Sequence, residues 1–459
     1  MKRFIKFLAG AAIALMAIAT NLQAQNVNNY VLQSPSLAQA QAACHTYGFK
    51  MLSTIHTPDT YLVQLSAAVP PEIAEQWVKH DPNVEHLELD DDATVPEVSM
   101  NNSPYIPAMP VTTYITDSNL IKMYGSKAWV GYVQQPAIYL MNLPSNLQPN
   151  KSGTGIVAII DTGVDPNNAI LAPALVPGYD FTRNISGSGS ELSDLNQSTA
   201  AILEQSTAAI LEQYQAVQLN QSTAAILEQS TAAILEGQKL PAYFGHGTMV
   251  AGLVHLVAPS AKIMPLKAFK ADGSANNSDI VRAIYYATDH GARVINMSFS
   301  MPQFSDAMMR AVNYATRHGV ICVASVGNEG QAALVYPASL GNVLGVASTS
   351  QENQQSAFSN YGADLVALAA PGEALITTYP GPHYAAVWGT SFSSALVAGS
   401  ASLLLSNVDP HISPLLQEND VRRALSQALP CSTSSNLGAG CLSLGTAMHY
   451  IQQIQLPHN

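Results

Sequence analysis

Charged side chains and basic runs are scarce in this chain of 459 residues. Asp, Glu, Lys and Arg make up 11% of the sequence and hydrophobic residues 47%, which excludes a long disordered charged chain. The 19 basic residues against 31 acidic ones give a net charge of −12. No basic run follows the first seven residues, which excludes nucleic acid as a partner because phosphate backbones are bound by clustered Lys and Arg. We expect a globular body of about three domains.

The chain also lacks a hydrophobic run long enough to cross a bilayer. The apolar run Phe7–Ala19 has 13 residues, whereas a spanning helix needs about 20. It follows the basic start Met1–Lys6 and precedes Leu22-Gln23-Ala24, which offers a small residue at a cleavage point. We interpret residues 1–24 as a secretory signal peptide rather than a membrane anchor. The mature protein is then expected to be secreted or periplasmic, without a stable membrane anchor.

Cysteine is rare, with four residues in the chain. Export permits disulfides. Cys431 and Cys441 flank a Ser- and Gly-rich loop that can bend back on itself, so we predict a disulfide between them. Cys322 lies in the apolar run Gly319–Ala324 and is predicted to be a buried structural thiol rather than a nucleophile.

Residues from about 28 to 95 have the pattern of a small domain. Short β-like runs alternate with helical ones there, as in a βαββαβ unit. The predicted segments are Tyr30–Leu32, Leu37–Tyr47, Thr60–Leu65, Pro71–His80 and Val84–Leu89. The acidic Asp90–Asp92 and the Pro-, Asn- and Ser-rich stretch Val95–Pro110 follow, which indicates a linker. We therefore assign residues 25–98 to an α+β domain and 99–110 to a linker.

From about residue 151 the pattern becomes that of an α/β domain. Continuous apolar strands alternate with helical runs such as Asp279–His290 and Asp306–His318. The predicted strands are Ile156–Ile160, Lys262–Ala268, Arg293–Met297, Val320–Val326 and Val343–Ala347. Strands that are apolar on both faces indicate a parallel sheet covered by helices on both sides. One α/β domain is expected over 111–455.

An internal repeat interrupts this domain. Residues 195–212 recur without change at 219–236, and no Gly or Pro occurs from Glu191 to Glu236, which favours helix. A single helix of this length would span about 69 Å, yet both ends of the insertion must return to one body. We therefore predict an amphipathic helical hairpin at 191–236 that turns within Tyr214–Asn220. It is either a tolerated tandem duplication or a docking arm for a partner.

Four polar residues have the chemistry that acyl transfer requires. Asp161 directly follows an apolar strand, His246 lies between two glycines before a helical run, and Ser391 precedes a buried helical run. Asn328 follows another strand. Each alone would be an ordinary turn, structural histidine or helix cap. Together they predict Ser391 as nucleophile, His246 as general base, Asp161 as the orienting carboxylate, and Asn328 with the Ser391 amide as oxyanion donors.

The segments around these residues resemble the subtilisin-like serine proteases, or subtilases, in the family's order of Asp, His, Asn and Ser. The similar segments are Asp161–Val164, His246–Thr248, Val250–Gly252, Val294–Ser298, Gly327–Gly330, Gly389–Ser391 and Val397–Gly399. The resemblance implies a secreted serine endopeptidase that cleaves polypeptides through an acyl-enzyme, needs no cofactor for chemistry and acts as a monomer. It also implies that residues 25–98 are a propeptide that assists folding and occupies the cleft. Structural calcium is common in the family, and the sequence does not assign its ligands.

By the same resemblance, two segments form the walls of the pocket for the residue before the cleaved bond. They are Ser298, Phe299 and Ser300, and Ser325, Val326 and Gly327. Both are uncharged, so we expect a bulky apolar preference. The chain departs from the family at Ala395, where proline is usual, at Ser300, where glycine is common, and at Met249, where histidine is common.

Two other functions have to be compared with that of a serine endopeptidase. A lipase or esterase is disfavoured because it would have Gly-x-Ser-x-Gly and the order Ser, Asp, His. A catalytically weak or inactive subtilase-fold binding protein that uses the repeat arms for partner docking is the remaining alternative.

Overall fold

The computed structural model describes residues 27–94, 119–123, 126–143, 152–187, 189–195, 225–226, 241, 243–432 and 436–455. The chain divides into two units, Met1–Asp90 and Asp91–Asn459. The predicted signal peptide 1–24, linker 99–110 and turn Tyr214–Asn220 lie outside the described residues.

Over its described residues, 27–90, the first unit is an antiparallel sheet with two helices. Its elements are β1 (Val27–Gln33), α1 (Leu37–Tyr47), β2 (Lys50–His56), β3 (Thr60–Ser66), α2 (Pro71–Val78) and β4 (His86–Leu89), with sheet order β2-β3-β1-β4. Helix α1 begins after Ser36, whose side chain accepts a hydrogen bond from the Gln39 amide, as an N-cap serine does. Apolar side chains of the sheet, among them Tyr30, Tyr61 and Leu87, form its core. The predicted βαββαβ order is confirmed.

The second unit holds the remaining elements. Before the repeat they are β5 (Asp92–Thr94), β6 (Leu120–Met123), β7 (Ser126–Trp129), α3 (Val130–Val133), α4 (Pro136–Leu140), β8 (Ile156–Asp161), β9 (Gly178–Asp180) and β10 (Ile185–Gly187). Those that follow are β11 (Ala225–Ile226), α5 (His246–Val257), β12 (Lys262–Lys267), β13 (Ser274–Asn276), α6 (Asn277–Asp289), β14 (Ala292–Met297), α7 (Asp306–Arg317), β15 (Ile321–Ser325), β16 (Val343–Thr349), β17 (Leu368–Pro371), β18 (Leu375–Tyr379), β19 (His383–Val387), α8 (Thr390–Leu405), α9 (Pro414–Leu425) and α10 (Leu444–Ile454).

The main sheet of this unit has the strand order β10-β9-β12-β8-β14-β15-β16-β17. All neighbouring strands in it are parallel except β10, which pairs antiparallel with β9. Strands β8, β14, β15 and β16 are buried almost throughout, because helices cover both faces. The predicted parallel α/β sheet is confirmed.

Two buried helices carry candidate site residues at their first turns. Every residue of α5 and of α8 is buried. They pack against each other, and α8 also packs on strands β14 to β17. A helix that is apolar on every side has to lie inside the protein, so both N-termini are fixed by their surroundings.

The predicted helical arms are wrong at the described residues of the insertion. Residues Glu191–Asp194 form a single 3-10 turn. Residues Ala225–Ile226 form strand β11, which pairs antiparallel with β19. Backbone pairing with an edge strand overrides the local helix propensity of the repeat. The rest of the 196–236 stretch lies outside the described residues.

The cysteines agree with the sequence prediction. Cys431 and Cys441 form a disulfide with 5.2 Å between their Cα atoms. Cys322 is a free, fully buried thiol, and burial raises its pKa to about 12, so it is a poor nucleophile. None of the helices within the described ranges is both long and apolar enough to cross a membrane.

Candidate active site

Three neighbouring parallel strands end beside one another at the candidate site. Asp161 is the last residue of β8, Ser298 directly follows β14, and Asn328 lies three residues beyond β15. These strands are consecutive in the sheet, so their carboxyl ends share one edge. Strand β8 also lies between β12 and β14, where the chain moves from one side of the sheet to the other. Open α/β sheets hold their ligands at such a switch point.

Asp161 and His246 form a buried pair. The Nδ1 atom of His246 lies 2.7 Å from Oδ1 of Asp161, and both residues are at most 3% exposed. The Thr162 amide donates to the same carboxylate oxygen at 2.7 Å. A Cβ atom on Gly247 would come within 2.0 Å of the Gly163 carbonyl oxygen. Only glycine therefore lets the start of α5 approach the Asp161 loop this closely.

Ser391 is the second residue of the fully buried helix α8. Its hydroxyl donates to the Ser298 carbonyl oxygen at 3.3 Å, and the Ser298 hydroxyl donates to the Ser391 carbonyl oxygen at 2.9 Å. The ring of the next residue, Phe392, lies 5.5 Å from the His246 ring, centroid to centroid. The start of α8 is thus held between the end of β14 and the start of α5.

The side chain of Asn328 has a fixed orientation. Its Oδ1 atom accepts hydrogen bonds from the Thr390 amide and from the Thr390 hydroxyl, both at 2.9 Å. Its Nδ2 atom is buried and has no hydrogen-bond partner among the described residues. An unpaired buried donor costs about 1–3 kcal/mol, and a catalytic role is one reason for which a native protein retains such a group. Asn328 therefore presents a donor next to the residue that precedes Ser391.

The two predicted wall segments lie at the ends of adjacent strands. Ser298, Phe299 and Ser300 follow β14, whereas Ser325, Val326 and Gly327 span the end of β15. Phe299 is 1% exposed and Val326 is fully buried. The Ser325 hydroxyl donates to the Phe299 carbonyl oxygen at 3.4 Å, so one bond joins the two segments.

Sequence reasoning missed three ionisable residues that hydrogen bonds connect, directly or through one another, to the loop after Asp161. Lys267, at the end of β12, is fully buried and donates from Nζ to the Thr162 carbonyl oxygen at 2.7 Å and to Asp194 Oδ2 at 2.6 Å. Glu191 is fully buried as well. Burial raises its pKa to about 8; the Thr248 hydroxyl lowers that pKa, nearby Asp165 raises it and Lys267 lowers it. The position of Lys267 near the end of an apolar strand was a sequence signal that could have identified it. Glu191 and Asp194 gave no such signal, because the sequence pattern assigned them to the repeat insertion.

Within the described ranges, no group of three or more His, Cys, Asp or Glu side chains is arranged to hold a metal ion.

Comparison with known proteins identifies the fold that carries this arrangement. The family model described as "Subtilase family" matches residues 153–440, which include Asp161, His246, Asn328 and Ser391. The chain belongs to the subtilase family. By family membership, this subtilase is a subtilisin-like serine endopeptidase. Proteins of the family act on polypeptides.

Individual relatives agree with the assignment. Subtilisin Savinase of Lederbergia lenta is 36% identical over 213 residues, which cover 44% of this subtilase and 77% of the relative. Thermitase of Thermoactinomyces vulgaris is 33% identical over 260 residues, or 54% of this chain and 74% of the relative. The crystal structure of fervidolysin from Fervidobacterium pennivorans, a keratinolytic enzyme related to subtilisin, matches with a TM-score of 0.64 and 19% identity. That match covers 94% of this chain and 62% of fervidolysin, and it shows the fold.

Proposed function

We propose that this subtilase is an exported endopeptidase that hydrolyses peptide bonds through an acyl-enzyme formed on Ser391. His246 is the general base, Asp161 orients it, and Asn328 Nδ2 with the Ser391 amide binds the oxyanion. The observation that carries the proposal is the buried 2.7 Å contact between Asp161 and His246, at the start of the helix that packs against the helix of Ser391. Nucleophile, base and orienting group are the parts that covalent acyl transfer needs.

The positions of the His246 ring nitrogens and of the Asn328 amide determine the order of the reaction steps. Because Nδ1 of His246 is bonded to Asp161, Nε2 takes the proton as Ser391 Oγ attacks the carbonyl carbon of the substrate. The carbonyl oxygen becomes an oxyanion, which accepts hydrogen bonds from Asn328 Nδ2 and the Ser391 amide. The C–N bond then breaks and His246 gives its proton to the leaving amine. Water hydrolyses the ester by the same route, which regenerates the Ser391 hydroxyl.

The substrate is an extended polypeptide that adds a strand beside the site. Strand β5 already pairs antiparallel with β13, with Thr94 opposite Ser274 and Asp92 opposite Asn276. This pairing shows that β13 can accept an extended segment by strand addition, a mode in which extended peptides are recognised. The walls formed by 298–300 and 325–327 are uncharged and favour a bulky apolar residue before the cleaved bond. Peptide substrates that differ only at that position test this preference: a higher kcat/KM for Lys than for Phe would overturn it.

The N-terminal part is a leader in two pieces. Residues 1–24 are a signal peptide and 25–98 a propeptide, joined through 99–110 to the catalytic domain. The separate unit Met1–Asp90 supports a module that can be released. The Cys431–Cys441 disulfide supports export, because disulfides persist in oxidising compartments.

Labelling with a fluorophosphonate tests the assignment. Mass spectrometry of the purified wild-type protein should find the label on Ser391 and a mature N-terminus beyond the propeptide. Ser391→Ala should take no label and should accumulate as a longer species that retains 25–98. An unlabelled, correctly folded wild-type protein would instead favour the binding-protein alternative.

A further inference from the structure

Glu191 is buried where an acidic side chain is rarely found. It begins the 3-10 turn Glu191–Asp194, just before the repeat, and its exposed fraction is 0%. Acidic side chains are almost never fully buried unless hydrogen bonds or charges compensate them. The contacts of Glu191 therefore have to account for its position.

Those contacts reach the two chain segments that carry Asp161 and His246. Oε2 of Glu191 accepts a hydrogen bond from the Gly245 amide at 3.0 Å and one from the Thr162 hydroxyl at 3.2 Å. Gly245 directly precedes His246, and Thr162 directly follows Asp161. One carboxyl oxygen thus joins the two segments that carry the pair.

Two threonine hydroxyls complete the bridge. Thr162 Oγ1 accepts from the Gly247 amide at 3.0 Å, and Thr248 Oγ1 accepts from the Asp165 amide at 2.8 Å. Each hydroxyl therefore ties one segment to the backbone of the other. Thr248 also hydrogen-bonds Oε1 of Glu191. Glu191 completes the hydrogen bonding of both cross-links, which would otherwise leave buried hydroxyl groups incompletely paired.

The other end of the same turn is fixed independently. Asp194 Oδ2 accepts from Lys267 Nζ at 2.6 Å and from the Ala271 amide at 2.7 Å. Lys267 Nζ also donates to the Thr162 carbonyl oxygen at 2.7 Å. The turn is therefore held at both ends, and Thr162 is bound through its hydroxyl by Glu191 and through its carbonyl by Lys267.

We propose that Glu191 is a positioning residue that holds the Asp161 loop and the start of the His246 helix in register. The first turn of the apparent insertion then belongs to the catalytic centre rather than to an added arm. The inference rests on the proposed function, because it assigns Glu191 a role in keeping that pair productive. Small displacements of catalytic groups by remote changes can cost about 10²-fold in rate.

The charge state of Glu191 decides which substitution preserves the bridge. Burial is the largest cause of its raised pKa, which is about 8. The charged groups that face it are Asp165 and Asp161, which also raise the pKa, and Lys267, which lowers it. Tyr379 of β18 also faces it, and its own pKa is raised by burial first and then by Glu191. The carboxyl is therefore mostly protonated at pH 7, and glutamine is its neutral isostere.

The test compares purified mature variants at pH 7 for kcat and KM on a chromogenic peptide and for fluorophosphonate labelling rate per folded molecule. Glu191→Met keeps the length of the side chain and removes its hydrogen bonds, so kcat should fall about 10- to 100-fold while KM changes less than about threefold. Glu191→Gln should stay within about threefold of wild type. Ser193→Ala, in the same turn and exposed, is the matched control and should equal wild type.

Several results would overturn the inference. They are wild-type kcat in folded Glu191→Met, a loss confined to KM, or a kcat in Glu191→Gln as low as in Glu191→Met. If Glu191→Met does not fold, Thr162→Val decides, because it removes one cross-link and leaves Glu191 in place: a several-fold drop in kcat supports the bridge, and wild-type kcat refutes it. Failure of wild type to label at Ser391 would refute the proposed function instead.

Discussion

Replacing Asn328 by alanine tests whether its unpaired amide nitrogen stabilises the oxyanion. In the resting site Oδ1 is bound by Thr390, whereas Nδ2 has no partner among the described residues. The donor is thus held in place before any substrate binds. Losing one such donor lowers kcat by about 10²–10³, or about 2.7–4 kcal/mol of transition-state stabilisation. Because the charge develops only in the transition state, KM should change little.

In Asn328→Ala, the loss in free energy of unfolding should be smaller than the loss in transition-state stabilisation. Asn328→Ala removes an unpaired donor, which is favourable, but it leaves two Thr390 donors without an acceptor, which costs about 1–3 kcal/mol for each buried group. Asn328→Asp separates these effects, because it keeps the acceptor for Thr390 and replaces the donor by an anionic oxygen. It should lose at least as much activity as the alanine variant.

The assay is steady-state hydrolysis of a chromogenic peptide, with enzyme concentration set by active-site labelling. Asn342→Ala removes the same side chain from an exposed position and should leave kcat unchanged. A kcat within threefold of wild type in folded Asn328→Ala would refute the oxyanion assignment, and so would a loss seen only in KM.

Three further variants test other parts of the structure. The pKa of Glu191 is about 8 in the folded protein against an ordinary 4.5, so the folded state retains a proton that the unfolded chain loses between these two pH values. The free energy of unfolding of wild type should therefore fall relative to that of Glu191→Gln as pH rises from 4.5 to 8, by on the order of 5 kcal/mol. A constant difference in thermal stability between the two proteins at every pH would contradict this. Gly247→Ala places a Cβ 2.0 Å from a backbone oxygen and should abolish activity, whereas Gly341→Ala, with open space around its Cβ, should have none of this effect in the same peptide assay. Replacing both Cys431 and Cys441 by serine opens a loop of sequence separation 10 and should lower the free energy of unfolding by about 2.5–3 kcal/mol; an unchanged denaturant midpoint would show that the disulfide adds nothing.

The sequence located the candidate catalytic residues because each stands at a change of local pattern. Asp161 ends an apolar strand, Asn328 follows another, and His246 and Ser391 stand at the start of buried helices. Parallel strands that are buried on both faces have a strong hydrophobic signal, so their bounds were predicted to within a few residues. The order of strands in the sheet could not be predicted, because it depends on contacts between segments that are distant in sequence.

Short strands had no comparable signal. Strands β9, β10 and β13 have three residues each, too few for a hydrophobic period to be recognised. Strand β11 has two and lies inside a repeat whose composition favours helix. Its pairing with β19 is a tertiary contact, and single-sequence propensity contains no information on tertiary contacts.

The start of the insertion differs between the sequence pattern and the structure. Repetition and the absence of Gly and Pro mark the stretch from Glu191 as one segment, but they measure local composition. Glu191 and Asp194 take their positions from Thr162, Gly245 and Lys267, which are far from them in sequence. The chain therefore belongs to the catalytic domain through Asp194, because the carboxylate of Asp194 accepts hydrogen bonds from Lys267 and Ala271 of that domain. A deletion that begins at 191 would remove the bridge as well as the repeat, whereas one that begins at 195, the first residue of the repeat, would leave Glu191 and Asp194 in place.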